Sequence, residues 1–247
     1  MKIFLSALEQ SLRFQYIDQR IDAYYFNLLS YYYLKVDIMK RIVDKSQEVL
    51  IDSGAHTFQK GKKVDWESYT NRYANFIKNN DHEKILGYFE MDIDPAGYSL
   101  NYVNRLKITL QSKSKKIIQV WHKNRGIKDF IEMCKNPIHE KNVVSISGFK
   151  NQDIKDKDFI KFVNYAHYCG CKIHGLGITR KDILSSVPFD YVDSSSWVQR
   201  GIFGRGYNHA ETLKFNRNYT SKTNNHLHLM YNNYLEGMKL QKEYLMK

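Results

Sequence analysis

Short apolar segments and helical patterns alternate along most of this 247-residue chain. Runs of apolar residues predict eight strands, and most are followed by a segment whose apolar residues recur three and four positions apart, as in a helix. The alternation implies a parallel sheet. Eight such units in this length predict an α/β fold, the closed (β/α)8 or TIM barrel. The predicted strands are 2–8, 24–29, 48–51, 84–91, 116–120, 142–146, 172–176 and 190–192.

The helical patterns support the same architecture and add a long helix at the end of the chain. A doubly wound open sheet is the alternative, but it would carry a glycine-rich phosphate turn after its first strand, and no such turn follows Leu5. We therefore expect one barrel domain over residues 1–247, with a C-terminal helix that packs on the barrel. The predicted helices are 33–45, 65–79, 99–111, 126–134, 157–168, 180–185 and 224–246.

The charge balance favours an anionic partner. The formal net charge is +12, and nucleic acid is the usual partner of such a basic chain. Residues 105–128 contain eight Lys or Arg and no acidic residue, which indicates a phosphate-contacting surface or, alternatively, a solvated helix face. The basic residues of this stretch are Arg105, Lys107, Lys113, Lys115, Lys116, Lys123, Arg125 and Lys128.

The cysteines and the hydropathy pattern point to the cytoplasm. Three cysteines (Cys134, Cys169 and Cys171) form no disulfide framework, and a Cys-x-Cys without a second pair does not predict a structural zinc site. The apolar run at the N-terminus is too short for a signal peptide, and no stretch is long enough to span a membrane. The sequence thus predicts a cytoplasmic protein with no membrane partner.

Two carboxylates at strand ends suggest a catalytic pair. Asp52 follows the third predicted strand and Asp193 the last, and barrel enzymes place catalytic groups at the C-terminal ends of strands. Such a pair suits chemistry at a sugar carbon, with one carboxylate attacking and the other moving a proton. Asp190 lies three residues before Asp193, on the opposite face of the strand, and is expected to be structural. The polar residues at strand ends are Asp52, Asp92, Gln119, Gly148, Gly177 and Asp193.

Six short motifs between residues 48 and 200 resemble, in the same order, those of the tRNA-guanine transglycosylases. Each motif is weak by itself, and the order gives the resemblance its specificity. The matching segments are 52–54 (Asp-Ser-Gly, for Asp-Ser-Gly-Gly), 91–92 (Met-Asp, for Phe-Asp-Glu), 118–119 (Ile-Gln, for Val-Gln-Gly), 146–148 (Ile-Ser-Gly, for Ile-Gly-Gly), 174–178 (His-Gly-Leu-Gly-Ile, for Met-Gly-Val-Gly) and 190–194 (Asp-Tyr-Val-Asp-Ser, for Asp-Met-Phe-Asp-Cys).

The resemblance implies a role for each matched residue. Asp193 would be the nucleophile that attacks C1′ of a guanosine and forms a glycosyl-enzyme. Asp52 would be the general acid and base for the departing and incoming bases. A buried carboxylate such as Asp92 can accept two N–H hydrogen bonds from a purine at once. The residues expected to contact the base are Asp92, Gln119, Ser147, Gly148 and Gly177.

Departures from the family pattern change the expected substrate. Ala55 and His56 follow Gly54, and no Cys occurs after Cys171, so the family's Cys-x-Cys-x-x-Cys zinc site is missing and no zinc subdomain or cofactor is expected. A shorter, basic, zinc-free chain is more similar to the phage and bacterial DNA-guanine transglycosylases. That resemblance implies DNA as partner, with tRNA as the alternative, and a 7-deazaguanine such as 7-cyano-7-deazaguanine as the incoming base. The target base would be flipped out of a duplex or met single-stranded.

Residues just after Asp193 and in the basic stretch are predicted to contact the nucleic acid. Trp197 could instead be a core or lid residue, and the tyrosines at 31–33 are interpreted as rim packing that could border the pocket. The predicted contacts are Trp197, Arg200, Arg205 and Tyr207, with Lys115, Lys116, Lys123 and Arg125.

Two other functions remain open at this point. One is a non-catalytic nucleic-acid-binding barrel, for which the retained Asp52 and Asp193 are unfavourable. The other is a metal-dependent barrel hydrolase, although the first strand lacks a His-x-His pair. Its candidate ligands are His56, Asp92, Asp94, His122 and Asp193.

Overall fold

Eight parallel strands form a closed barrel in the order in which they occur along the chain, with β8 pairing back to β1. The structure is a computed structural model that describes residues 1–58, 64–147, 154–178, 180–206 and 224–246. Each predicted strand overlaps an observed one, so the (β/α)8 barrel is confirmed and the open sheet is excluded. The strands are β1 (Lys2–Ser6), β2 (Tyr24–Ser30), β3 (Ser46–Asp52), β4 (Ile85–Phe89), β5 (Ile117–Trp121), β6 (Val143–Ser147), β7 (Lys172–Leu176) and β8 (Tyr191–Ser194).

A helix follows every strand in the described part of the chain. Two of the helices, α1 and α8, were not predicted, because each is short and carries too few apolar residues to show a clear period. The helices are α1 (Ser11–Asp18), α2 (Val36–Lys45), α3 (Trp66–Asn80), α4 (Leu100–Gln111), α5 (Gly126–Lys135), α6 (Phe159–Tyr168), α7 (Lys181–Ser186), α8 (Ser196–Ile202) and α9 (Asn224–Leu245).

Side chains alternate along each strand between the barrel interior and the layer under the helices. The interior is filled by apolar side chains, so the barrel is a packed core and not a pore. Most of the polar side chains of the described strands that face the cavity therefore lie where the strands end. The interior cluster consists of Phe4, Phe26, Leu28, Leu50, Leu86, Phe89, Ile118, Val120, Val143 and Tyr191.

The C-terminal helix α9 packs on the outside of β1 and β2, as expected. Gln241 Nε2 donates to the backbone carbonyls of Ile3 (2.7 Å) and Phe26 (2.6 Å), and the Tyr234 hydroxyl donates to Asn27 Oδ1 (2.8 Å). These buried bonds fix α9 against the two strands. None of the described helices is both long enough and apolar enough to cross a membrane.

Candidate active site

Side chains from all eight strands, or from the turn after each strand, line one cavity of about 410 Å³. It lies at the C-terminal ends of the strands, where (β/α)8 enzymes carry their active sites. The strand order along the chain thus brings together residues that are far apart in sequence. The polar lining includes Ser6, Ser30, Asp52, Asp92, His122, Ser147, Gly177 and Asp193.

Asp193, at the end of β8, is held by two hydrogen bonds. The Gly177 N–H donates to Oδ1 at 2.7 Å, and the Ser6 hydroxyl donates to Oδ2 at 3.1 Å. Gly177 has φ +70°, a backbone conformation that favours glycine. Burial raises the pKa of Asp193 to about 6, although the bonds from Gly177 and Ser6 act to lower it. The carboxylate is therefore oriented and mostly ionised at neutral pH.

Asp52 ends β3 and lines the same cavity. The Gly54 N–H donates to its Oδ2 at 2.8 Å, and Gly54 has no room for a side chain because a Cβ would lie 2.6 Å from the Cβ of Tyr32. Burial raises the pKa of Asp52 to about 7, and the negative charges of Asp92 and Asp193 raise it further. The pKa of Asp52 is therefore raised more than that of Asp193, so near neutral pH Asp52 holds its proton more often than Asp193 does.

Asp92 enters the cavity after β4 beside a histidine. His122 Nε2 lies 3.2 Å from Asp92 Oδ2, which leaves Oδ1 of Asp92 free of that contact. Both side chains are buried and both line the cavity. A histidine at a strand end more often satisfies a local hydrogen bond than binds a metal, and the contact of His122 with Asp92 agrees with that interpretation. The pair forms a polar wall suited to the edge of a base.

The prediction that Gln119 contacts the base is wrong. Ile118 and Val120 fill the barrel interior, so Gln119 between them points to the helix layer. Its register partner on β6, Val144, belongs to that outer layer as well. The alternation that excludes Gln119 also identifies His122, because residues 118, 120 and 122 share one face.

The remaining predicted base contacts divide into two groups. Ser147 and Gly177 line the cavity, whereas Gly148 lies outside the described residues.

The structure adds Glu9, a buried residue of the turn after β1, whose Oε1 accepts the Ser30 N–H at 3.3 Å. Burial raises the pKa of Glu9 to about 7. Glu9 was not predicted as a site residue, because the first strand was predicted to run on to residue 8.

A histidine lies beneath the catalytic candidate Asp193. His174 is wholly buried, and its Nε2 is 3.8 Å from Asp193 Oδ1. Its Nδ1 is 3.3 Å from the Ser145 hydroxyl. Burial lowers the pKa of His174 to about 3, so it is neutral at physiological pH and adds no charge to the cavity floor.

The ligand set of the metal-dependent alternative is not assembled. His56 is exposed at the rim, and Asp94 is bound by Arg125. Among the described residues, no three His, Cys, Asp or Glu side chains lie where they could hold one metal ion. The strand-end histidines and carboxylates thus form separate pairs.

The basic stretch is divided between the two ends of the barrel, so the prediction of one phosphate-contacting surface is wrong. Lys115 and Lys116 precede β5, at the end away from the cavity, and Lys116 Nζ pairs with Asp81 Oδ1 at 2.9 Å. Lys123 is exposed and follows His122 at the cavity end. Only Lys123 of these three remains near the site.

Arg125 is a structural cation and not a phosphate ligand. Its side chain is only 2% exposed, and it bonds Glu90 Oε1 (2.8 Å) and both oxygens of Asp94 (2.6 and 3.0 Å). Each carboxylate comes from the segment after β4, so Arg125 ties that segment to the turn after β5.

Trp197 is also a core residue, as the alternative interpretation held. It is wholly buried, its Nε1 donates to the Ser6 carbonyl at 2.9 Å, and its ring packs edge-on against Tyr234. It therefore supports Ser6 and cannot stack on a nucleotide.

Arg205 is exposed and Arg200 half-buried, and their contacts with nucleic acid stay predictions. Tyr207 lies outside the described residues.

Arg125→Ala should destabilise the fold by about 3–5 kcal/mol, because it leaves Glu90 and Asp94 buried without their cation. Arg105→Ala is the matched control, since Arg105 pairs with Glu67 on the exposed surface and should cost about 0–1 kcal/mol. Urea unfolding at neutral pH measures both. Equal, small losses in the two variants would contradict the structural role of Arg125.

No family model matches the sequence, and no curated protein is significantly similar to it. What this chain does has to be inferred from its barrel, its cavity and its motifs.

Proposed function

We propose that this protein is a base-exchange transglycosylase that replaces guanine in DNA with a 7-deazaguanine, such as 7-cyano-7-deazaguanine. One observation carries the proposal: Asp193 and Asp52 line the same cavity, and their environments give them different pKa values. Two carboxylates with separated pKa values can divide the roles of nucleophile and proton donor.

In the first half-reaction, Asp193 replaces the base. One of its carboxylate oxygens forms a bond to C1′ of the deoxyribose while the bond from C1′ to N9 of guanine breaks. The electron pair of the broken bond stays on the purine, and Asp52 gives its proton to the departing base. Between pH 6 and 7, more than half of Asp193 is ionised and more than half of Asp52 is protonated, the combination that this step requires.

The second half-reaction reverses these roles with another base. Asp52, now ionised, takes the N9 proton of the incoming 7-deazaguanine. N9 attacks C1′, and the ester bond to Asp193 breaks and returns the electron pair to the carboxylate. Each half-reaction forms one bond to C1′ and breaks one, so no co-reactant is needed.

Asp92 is the proposed reader of the base. A guanine-type base presents its N1–H and 2-amino donors side by side, and a single carboxylate can accept both. His122 orients Asp92 through the contact at 3.2 Å. A 7-deazaguanine keeps the same donors, so one pocket can bind the departing and the incoming base in turn.

The charge of the chain supports a nucleic acid as the macromolecular substrate. The net charge is +12, which favours a polyanion. A base inside a duplex could not reach the cavity floor, so the target must be flipped or single-stranded. DNA is proposed over tRNA because no Cys follows Cys171, so the chain lacks the zinc site of the tRNA enzymes and in that respect resembles the zinc-free DNA enzymes.

Incubation with 7-cyano-7-deazaguanine and either DNA or unmodified tRNA tests the proposal. Nucleoside mass analysis should find 7-cyano-7-deazaguanine deoxynucleoside in DNA, with guanine released in equal amount. Asp193→Asn protein is the control for non-enzymatic incorporation. Incorporation into tRNA alone would favour the tRNA alternative, and incorporation into neither would refute base exchange. Retained activity after dialysis against a chelator would count against the metal-dependent alternative.

A further inference from the structure

We propose that an aromatic strip beside the cavity binds the single-stranded DNA segment next to the base being exchanged. The inference deepens the proposed function and rests on it for the choice of DNA as the strand. No residue of the strip was among the predicted nucleic-acid contacts. The strip consists of Tyr33, Tyr32, Phe58, Trp66, Tyr98 and Tyr102.

The strip begins at the cavity itself. Tyr33 lines the cavity, and 47% of its surface is exposed. Its ring centroid lies 4.7 Å from that of Tyr32, which in turn lies 4.7 Å from that of Phe58. Both pairs meet edge to face, a favourable arrangement for aromatic rings. A strand that leaves the cavity therefore meets aromatic surface at once.

The strip continues away from the cavity to the start of α4. The Phe58 and Trp66 centroids are 5.5 Å apart, and Trp66 lies 6.1 Å from Tyr98. Tyr98 and Tyr102 stack at 5.7 Å with an angle of 27° between their planes. Trp66 is buried and Tyr98 is 40% exposed. The buried ring thus supports a row whose other members reach solvent.

Cations accompany the aromatic rings. A groove of about 500 Å³ beside the strip is lined by Tyr32, Phe58, Tyr69, Asp65 and Arg72, among others. Arg72 is exposed, and its guanidinium lies 5.8 Å from the centre of the Tyr69 ring. Asp65 is occupied as the cap of α3, where it accepts the Ser68 N–H.

Arg72 Nη1 donates to the Ser68 hydroxyl at 2.6 Å, and among the described residues no carboxylate forms an ion pair with it. At the far end of the strip, the Arg105 guanidinium lies 5.0 Å from the Tyr102 ring. Rings that can stack on bases, with a free cation for phosphate, are the combination that binds single strands. A duplex keeps its base faces inside and could not use them.

Binding of an unstructured oligo-dT 12-mer, followed by fluorescence anisotropy, tests the strip. Tyr33→Ala and Tyr98→Ala should each weaken binding about tenfold, the typical cost of losing one stacked base. Tyr33→Phe keeps the ring and should bind like the wild type. Tyr168→Ala is the matched control, because Tyr168 is an 87% exposed tyrosine at the end of α6, on the barrel face away from the cavity. If Tyr33→Ala and Tyr98→Ala bound oligo-dT as tightly as Tyr33→Phe and Tyr168→Ala, the proposal would be overturned.

The probe separates this inference from the proposed function, because oligo-dT contains no guanine and cannot undergo the exchange. Base exchange together with unchanged oligo-dT binding in Tyr33→Ala and Tyr98→Ala would refute the strip alone. Tyrosine-dependent oligo-dT binding without any base exchange would support the strip and refute the transglycosylase. A duplex of the same length that bound as tightly as the single strand would also overturn the strip.

Discussion

Asp193→Asn should abolish the covalent adduct with DNA and lower base exchange by about 10⁴- to 10⁶-fold, the range seen when a nucleophile is removed from a covalent mechanism. Asparagine keeps the volume of the side chain, and its Oδ1 can still accept the Gly177 N–H. It lacks the negative charge that attacks C1′. The loss should therefore fall on the chemical step. Denaturing gel electrophoresis of the enzyme mixed with labelled DNA, without an incoming base, measures the adduct.

The stability of the same variant distinguishes a catalytic from a structural carboxylate. The pKa of Asp193 is raised in the folded state, so its contribution to stability is greatest at acid pH and is lost as the pH rises through about 6. Asp193→Asn should therefore unfold at the same or a higher urea concentration than the wild type at pH 8. A large loss of stability would mean that the inactivity reflects unfolding.

Asp190→Asn is the matched control, because Asp190 lies three residues earlier and at the other end of β8. Its Oδ2 accepts the Ile173 N–H and contacts His167 Nε2, each at 2.8 Å. This variant should lose about 1–3 kcal/mol of stability and keep the adduct. An adduct in Asp193→Asn, or its loss in folded Asp190→Asn, would reverse the assignment.

The architecture could be predicted because each strand is an apolar run of its own. Period and composition are local signals, and they locate the strands to within a few residues. Asp52, Asp92 and Asp193 could be brought together for a related reason: in a parallel barrel all strand ends meet on one face. Topology alone therefore placed the main cavity residues.

The wrong or ambiguous predictions concern residues whose contacts come from distant parts of the chain. Arg125 looked like a phosphate ligand, but its partners Glu90 and Asp94 lie 35 and 31 residues away, and composition cannot show that pairing. Trp197 was ambiguous for the same reason, because its partner Ser6 is 191 residues away. Gln119 was different: the alternation of β5 was readable in the sequence and excluded it.

The aromatic strip is a surface that could not be predicted from the sequence. The tyrosines at 31–33 were visible in the sequence, but the strip continues through the turn after β3, through α3, and through the loop before α4 to α4 itself. Aromatic residues from separate segments form one surface only in the folded structure. Such surfaces matter for function, because a row of stacked rings can bind a strand when a single ring cannot.

Asp52→Asn should slow base exchange by about 10²- to 10⁴-fold, the usual contribution of a general acid or base. The departing purine would have to leave without a proton, and the incoming base would keep its N9 proton. Oligonucleotide affinity should change little, because the side chain keeps its size and the acceptor for the Gly54 N–H. Single-turnover rates and equilibrium binding, measured on one preparation, separate these two effects.

The pH profile gives the more decisive result. In the wild type, adduct formation should rise with pH through about 6 as Asp193 ionises, and fall above about 7 as Asp52 loses its proton. Asp52→Asn has no proton to lose, so its slower rate should rise through about 6 and then stay level. Asp92→Asn keeps the proton of Asp52 but removes a charge that helps to raise its pKa, so the descending limb should remain and move to lower pH. A descending limb that persists in Asp52→Asn would assign the proton to another group, and Glu9, whose pKa is also raised to about 7 on the same cavity, would be the next carboxylate to replace.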